Sequence, residues 1–279
     1  MTQPPFPSQA AQAGAAQPNP GTPMAPTRRD RMRAATMDEI TATARRLLVE
    51  QGPDAASLRA IAREMGMTAP GLYRYYGSRE ELLRHVIATI FRELAGDLRR
   101  AIDRVTLGPA GAAVAHGKAS PEQVRQHLTG KMVAACREFR RWGLGHKDEF
   151  ALLFGVPLPG FDDGGFDVAQ VCALEFAGTF YELFMELWKA SRFPVPGPED
   201  IDERLLVQLG RLRTTLGTDV PDGMLLVFLR CWVLLYGAVA MEAFGHLGFA
   251  LEDPAPMFEY TLGDLARLVG LDYPVPGAR

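Results

Sequence analysis

Apolar residues recur along this 279-residue chain at spacings of three and four, and no run alternates apolar with polar positions. The pattern predicts an all-α fold. Proline and glycine clusters at Gly108–Gly117, Val156–Gly165, Phe193–Pro198 and Gly217–Gly223 fall between the periodic segments and predict the breaks. The first periodic segment places Ile40, Ala44, Leu47 and Leu48 on one face, and Gly52-Pro53 ends it. Its start has two readings. Thr36 followed by Glu39 has the form of a capping box, yet nothing breaks a helix that begins near Arg31.

The densest signal follows, from Ser57 to about Val105. Ser57 caps a short helix whose inward face is Leu58, Ile61, Ala62 and Met65. Gly66 supplies a turn that tolerates positive φ. Thr68 caps a second helix with Pro70 in its first turn, from which Leu72 and Tyr76 point back at the first. Gly77 stops that helix, and Ser78 with Glu81 opens a long one. An ordinary helical hairpin shares the apolar spacing. The three caps, the preceding arginines and the two-aromatic ending together select a helix-turn-helix over Leu58–Tyr76. Small Ala62 sits where the two axes cross, which leaves the second helix free to enter a major groove about 12 Å wide.

Further along, Phe166–Ala190 reads as a helix with a narrow polar stripe of Glu175, Thr179, Glu182, Glu186 and Lys189. Pro221–Gly248 reads as a 28-residue helix, apolar nearly all round, with Gly237 and Gly245 allowing close helix approach, and Phe258–Val269 as another. A helix apolar on every side must be covered by more protein. The stretch Met224–Phe244 has the length of a membrane span, but Arg230 inside it would cost roughly 2.5–3.5 kcal/mol. A buried helix in a cytoplasmic protein is the expectation.

Composition sharpens this picture only where it is divided. Apolar residues make up 47 % of the chain and charged residues 23 %, the mix of a soluble, core-forming protein. The net charge of −3 separates into +3 over residues 28–85 and −6 over residues 86–279. A basic head on an acidic body fits a DNA-binding module joined to a region that does not touch DNA. Residues 1–27 carry no ionisable side chain and no apolar core, so they read as a disordered tail rather than a signal peptide. Cys136, Cys172 and Cys231 lie far apart in apolar runs, without metal-ligand spacing, and read as buried thiols. Only Cys136, beside Arg137, approaches the setting of a redox sensor. No catalytic, metal or cofactor motif is present in the sequence.

At the helix-turn-helix the sequence resembles the TetR/AcrR family of bacterial regulators. The family signature appears as Leu47-Leu48 through Gly52, Ile61-Ala62 to Gly66, Leu72-Tyr73-Arg74-Tyr75-Tyr76 and Ser78-Arg79-Glu80. Tyr75 replaces the usual His and Arg79 the usual Lys. The resemblance implies phosphate contacts at Ser57, Thr68, Tyr73, Tyr75 and Arg79, and base-edge reading at Ala69, Pro70, Gly71 and Arg74. Ala69 and Pro70 offer only apolar contact to thymine methyls, while Arg74 serves either a guanine or a phosphate. Direct readout should therefore be weak, supplemented by an arginine arm that includes Arg28 and Arg33 and by DNA shape.

The resemblance also implies a helical region for effector binding and dimerisation over residues 86–279. Arg140-Arg141-Trp142-Gly143-Leu144-Gly145-His146 and Glu149–Gly155 resemble the Trp-His-Gly signature of one TetR C-terminal subfamily, with Trp142, His146 and Gly155 as the trio. Gly143, Gly145 and Lys147 depart from it and suggest a looser helix. Trp142, His146, Phe150 and Phe154, with Phe176 and Phe180, either line an effector pocket of a few hundred Å3 or fill a core. By analogy Trp232, Leu235, Val239, Phe244, Phe258 and Leu262 form a dimer interface. The expected function is a homodimeric repressor that leaves a pseudopalindromic operator when a largely apolar effector binds. The alternatives are a constitutive DNA-binding regulator and a thiol redox sensor.

Overall fold

The computed structural model describes residues 27–52, 56–155 and 168–277. Eleven α-helices occur among these residues, without a strand. In chain order they are α1 (Arg28–Gln51), α2 (Leu58–Glu64), α3 (Ala69–Leu72), α4 (Arg79–Thr106), α5 (Pro109–Ala115), α6 (Pro121–Gly145), α7 (Lys147–Phe154), α8 (Val168–Ser191), α9 (Glu203–Leu216), α10 (Asp222–Ala243) and α11 (Ala255–Leu268). The chain divides within α1 into two compact units, one ending at Glu39 and the other beginning at Ile40. The expected tail over residues 1–27, apart from Thr27, lies outside the described residues, as does the expected break at residues 156–165.

In the first unit, α1 starts earlier than either reading of its sequence. The Thr27 hydroxyl accepts from the Asp30 N–H at 3.2 Å, and the Asp30 carboxylate accepts from the Thr27 N–H at 3.0 Å. This reciprocal pair caps the helix. Thr36 is a mid-helix residue, and its hydroxyl donates to the Met32 carbonyl at 3.0 Å.

The second unit is built around α4, which packs against α5, α6, α7 and α8. Its buried face of Leu82, Val86, Ile90, Leu94 and Leu98 repeats every four residues, so one side of a 28-residue helix is committed to the core. α4 runs unbroken through position 85, where the head was expected to end. The Gly108–Gly117 cluster, expected as a break, contains α5. Pro109 begins it, and Gly111 lets it close on α4, because a Cβ there would lie 1.9 Å from the Thr106 carbonyl oxygen. α10 packs against α6, α9 and α11. It ends at Ala243, short of the expected Gly248, because Gly245 adopts φ +72° and turns the chain. Within the stripe expected on α8, Glu175, Glu182, Glu186 and Lys189 are exposed but Thr179 is buried, its hydroxyl donating to the Glu175 carbonyl.

Gly143 does not loosen α6. It is buried, and a Cβ there would lie 3.0 Å from both Phe150 and Val239. The missing side chain is what allows α7 and α10 to approach α6 so closely.

Candidate functional site

The helix-turn-helix is assembled by its caps. Ser57 Oγ accepts from the Ala60 N–H at 3.2 Å and Thr68 Oγ1 from the Gly71 N–H at 3.2 Å. Gly66 takes φ +64° between the two helices. Leu58, Ile61, Ala62 and Leu72 are buried where α2 meets α3. The second helix is shorter than its sequence suggests: regular α geometry ends at Leu72, and Tyr73–Tyr75 form a turn. Tyr76 is buried, hydrogen-bonds Thr41 of α1 at 3.0 Å and packs edge-on against His85 of α4. Ser78 Oγ accepts from the Glu81 N–H at 3.1 Å, while the Glu81 carboxylate reaches back to the Gly77 N–H at 2.7 Å. The segment that follows the short α3 is thus fastened to α1 and α4.

The residues implied in DNA contact divide by exposure. Arg28, Arg33, Thr68, Pro70, Tyr73 and Arg74 are exposed, with Tyr73 at 52 %. Ser57, Ala69, Gly71, Tyr75 and Arg79 are half-buried. Arg79 has a structural task as well, since its Nε donates to the Ala56 carbonyl at 3.1 Å and fastens the start of α4 to the residue before the Ser57 cap.

An ion-pair network absent from the sequence reading joins this head to the helices behind it. Arg45 of α1 donates to Glu93 of α4 at 2.6 Å and to Glu149 of α7 at 2.9 Å. Burial works against the Arg45 charge, but the two carboxylates outweigh it and raise its pKa.

The expected pocket residues form a packed cluster. Trp142 is 1 % exposed and stacks on His146, whose Nδ1 lies 3.1 Å from the Trp142 carbonyl oxygen. Phe150, Phe154, Phe176 and Phe180 pack against one another and against Phe139 and Trp232, at centroid separations of 5.0–6.4 Å. They fill space. The cavity lies beside them, between α6, α8, α10 and α11, and of the six expected residues only Phe180 lines it. Its volume is about 50 Å3, far below the few hundred expected, and its walls include Met132, Cys136, Phe184, Phe228, Cys231 and Leu265. Burial pushes both the Cys136 and Cys231 thiols up to about 12, so neither has the character of a redox sensor. Arg137, the basic neighbour, pairs instead with Glu259 at 2.9 Å.

The side chains expected at a dimer interface face inward. Leu235, Val239, Phe258 and Leu262 are at most 3 % exposed within the single chain, and Trp232 belongs to the aromatic cluster. Of the six, Phe244 lies at the surface. The exposed apolar residues on these helices are Val233, Leu234 and Met241 of α10 and Met257 and Tyr260 of α11. Along Val233, Leu234, Met241 and Met257 runs a groove of about 280 Å3 that also takes in Gly237, Ala238 and Thr261.

Residues 33–86 match the family model described as "Bacterial regulatory proteins, tetR family", and residues 132–265 the one described as "Tetracyclin repressor-like, C-terminal domain". The chain is 27 % identical over 223 residues to the HTH-type transcriptional regulators Mb1846 of Mycobacterium bovis and Rv1816 of Mycobacterium tuberculosis, covering 79 % of this chain and 86 % of each relative. Among solved structures it resembles the regulatory protein SCO4313, with TM-score 0.60 and 27 % identity over 86 % of this chain and 98 % of the other. A Rhodococcus protein of unknown function shares the fold at TM-score 0.56 and 18 % identity, covering 85 % of this chain and 95 % of that one. With its capped helix-turn-helix and helical body, the chain belongs to the TetR family and is a transcriptional regulator with a DNA-binding helix-turn-helix.

Proposed function

We propose that this regulator is a cytoplasmic homodimeric repressor that binds a pseudopalindromic operator and leaves it when an apolar effector occupies the body. The observation that carries the dimer is the exposed apolar strip of Val233, Leu234, Met241, Met257 and Tyr260. α10 has the length and composition of a membrane span, yet only a third of its most apolar stretch is buried within the chain. A second copy laid across the strip would cover it and set two recognition helices about 34–36 Å apart, one turn of DNA. On this reading Ser57, Thr68, Tyr73, Tyr75 and Arg79 hold phosphates, Ala69, Pro70 and Gly71 face the bases, Arg74 reaches either a guanine or a phosphate, and Arg28 and Arg33 add backbone charge.

A constitutive regulator without effector is the second reading, favoured by the small cavity. Two experiments follow, the first testing the dimer and the second separating the two readings. DNA selected from a random pool by the purified chain should yield inverted repeats with half-sites about 10 base pairs apart, and mobility shift should show two chains per duplex. Selection of single half-sites bound by one chain would overturn the dimer. In thermal-shift screening with decyl-chain compounds, a ligand at 100 times its Kd should add about 2.7 kcal/mol to folded stability and release the selected DNA. Stabilisation without release would favour the constitutive reading.

A further inference from the structure

The apolar cavity shares part of its lining with a second space. Thr129, Val133 and Leu271 line it, and the same three residues line an outer groove of about 410 Å3 together with Glu122, Arg125, Gln126, Gly130 and Asp272. The two spaces therefore border one seam, a neck between α6 on one side and the segment after α11 on the other.

That segment is turned and fastened. Gly270 adopts φ +66°, and the Leu271 N–H donates to the Ala266 carbonyl at 2.9 Å, which drives the Leu271 side chain into a buried position at the neck. Two residues on, Tyr273 donates to Glu259 of α11, and Arg137 of α6 binds both the Glu259 carboxylate and the Tyr273 hydroxyl. Residues 270–273 thus form a strap along the neck, with Leu271 buried in it.

Chemistry changes sharply along this path. The inner walls carry no charged side chain, their polar groups being the Thr129 hydroxyl and the Trp232 indole N–H, and burial keeps both thiols protonated, so a charge carried inside would go uncompensated. The outer groove holds two carboxylates, Glu122 and Asp272, against one guanidinium, Arg125. Hydrogen bonding from Arg125 holds the Glu122 carboxyl below its usual range, so it is ionised at neutral pH.

On the reading that the chain responds to an effector, we propose that inner cavity and outer groove form one amphiphile site for a lipophilic cation, its apolar body between α6, α8, α10 and α11 and its cationic head against Glu122 and Asp272, with Leu271 as the gate. At about 50 Å3 the inner space holds no more than one or two water molecules. Occupation therefore requires Leu271 to leave the neck and flexible Met132 to repack. The ligand selects this opened form.

The test uses the full chain and calorimetric titration with decyltrimethylammonium, decanoate and 1-decanol below their aggregation concentrations. Decyltrimethylammonium should bind about tenfold or more tightly than decanoate. The double variant Glu122→Gln/Asp272→Asn should lose that preference while 1-decanol binding is unchanged. Leu271→Trp, which fills the neck from the strap, should weaken all three; Thr129→Leu narrows it from α6 if the first variant does not fold. A preference for decanoate, a preference that survives the double variant, or binding indifferent to Leu271→Trp and Thr129→Leu would each overturn the site. Release of DNA is scored separately. Cation binding with these preferences but without release leaves the site standing and defeats the effector reading. Release that persists in Leu271→Trp keeps the effector reading and overturns this site.

Discussion

Tyr73 caps α3 and Arg74 follows it directly, yet the two load a DNA backbone differently. A tyrosine hydroxyl contributes a hydrogen bond, whereas an arginine also displaces a counterion. Arg74→Ala should therefore reduce the salt dependence of operator binding by about 0.9 in log–log slope per subunit. Tyr73→Phe should lower affinity by about 1 kcal/mol with the slope unchanged. Mobility shifts across a salt series distinguish them, and equal slopes in wild type and Arg74→Ala would remove Arg74 from the phosphate contacts. Arg79→Ala is a poor probe of contact, because it also releases the Ala56 carbonyl. A second single-residue effect is set by His127, which is buried with its Nδ1 unpartnered among the described residues. Desolvation, aided by the Lys131 charge, lowers its pKa from 6.5. The folded chain then keeps a neutral imidazole where the unfolded chain takes up a proton. Stability is fully present above about pH 6.5 and falls with pH down to the folded value, at no more than about 1.4 kcal/mol per pH unit. Denaturant titrations of His127→Gln should be flatter than wild type between pH 6.5 and 5, above the range where carboxylates titrate. At this scale the sequence was most legible where the chemistry is local. The Ser57, Thr68 and Ser78 caps satisfy backbone donors within three residues, so their spacing suffices. Thr27 escaped notice because Thr36 and Glu39 carry the same pattern, and only the competing Met32 carbonyl reveals that Thr36 lies inside the helix.

Between elements, ion pairs from Arg45 link α1 to α4 and α7. Glu149 of α7 is buried next to Phe150 of the aromatic cluster, and its partner Arg45 stands on α1 three positions before Leu48 of the head's apolar face. Removing one partner leaves the other charge poorly solvated. Glu149→Gln should lower stability by about 1–2 kcal/mol, less than a fully lost buried pair because Glu93 still binds Arg45. Arg45→Met/Glu149→Leu should recover part of that loss, and chemical denaturation of wild type, Arg45→Met, Glu149→Leu and the double variant measures the coupling. Additivity within about 0.5 kcal/mol would mean that the two helices are not energetically linked through this pair. None of this was visible along the chain, since an ion pair between residues 104 positions apart has no spacing signature. The faces of α10 were hidden for a different reason. A helix apolar on every side has no polar contrast to mark the inward residues, so Leu235 and Val239 could not be told from Val233 and Met241. The cavity failed to show for the same reason, since the residues that line a small void are those that fill a core.

For the whole molecule, the decisive question is what covers the strip on α10 and α11. Val233 is 66 % exposed and Met257 54 %, too apolar an edge for a helix pair facing only water. If two copies meet there, the contact is isologous, so each substitution acts twice. A carboxylate placed on the strip stays hydrated in the single chain but faces its own counterpart across the two-fold axis. Val233→Glu/Met257→Glu should therefore sediment as a monomer while retaining the helical circular dichroism and melting temperature of the isolated fold. Arg140, which packs over Phe258 and binds Glu242 at 2.5 Å, braces α6 against both helices from the inner side and is untouched by these changes. DNA binding then reports the consequence. Two heads on one dimer engage a pseudopalindrome with the second contact made intramolecular, so dissociating them should lower affinity for the full site by about 10²–10⁴. Affinity for a half-site should not change, because Tyr73, Arg74 and their caps are intact. A dimer that persists in this variant would place the contact elsewhere on the body, and equal loss at full and half-sites would mean that the substitutions had damaged the head itself.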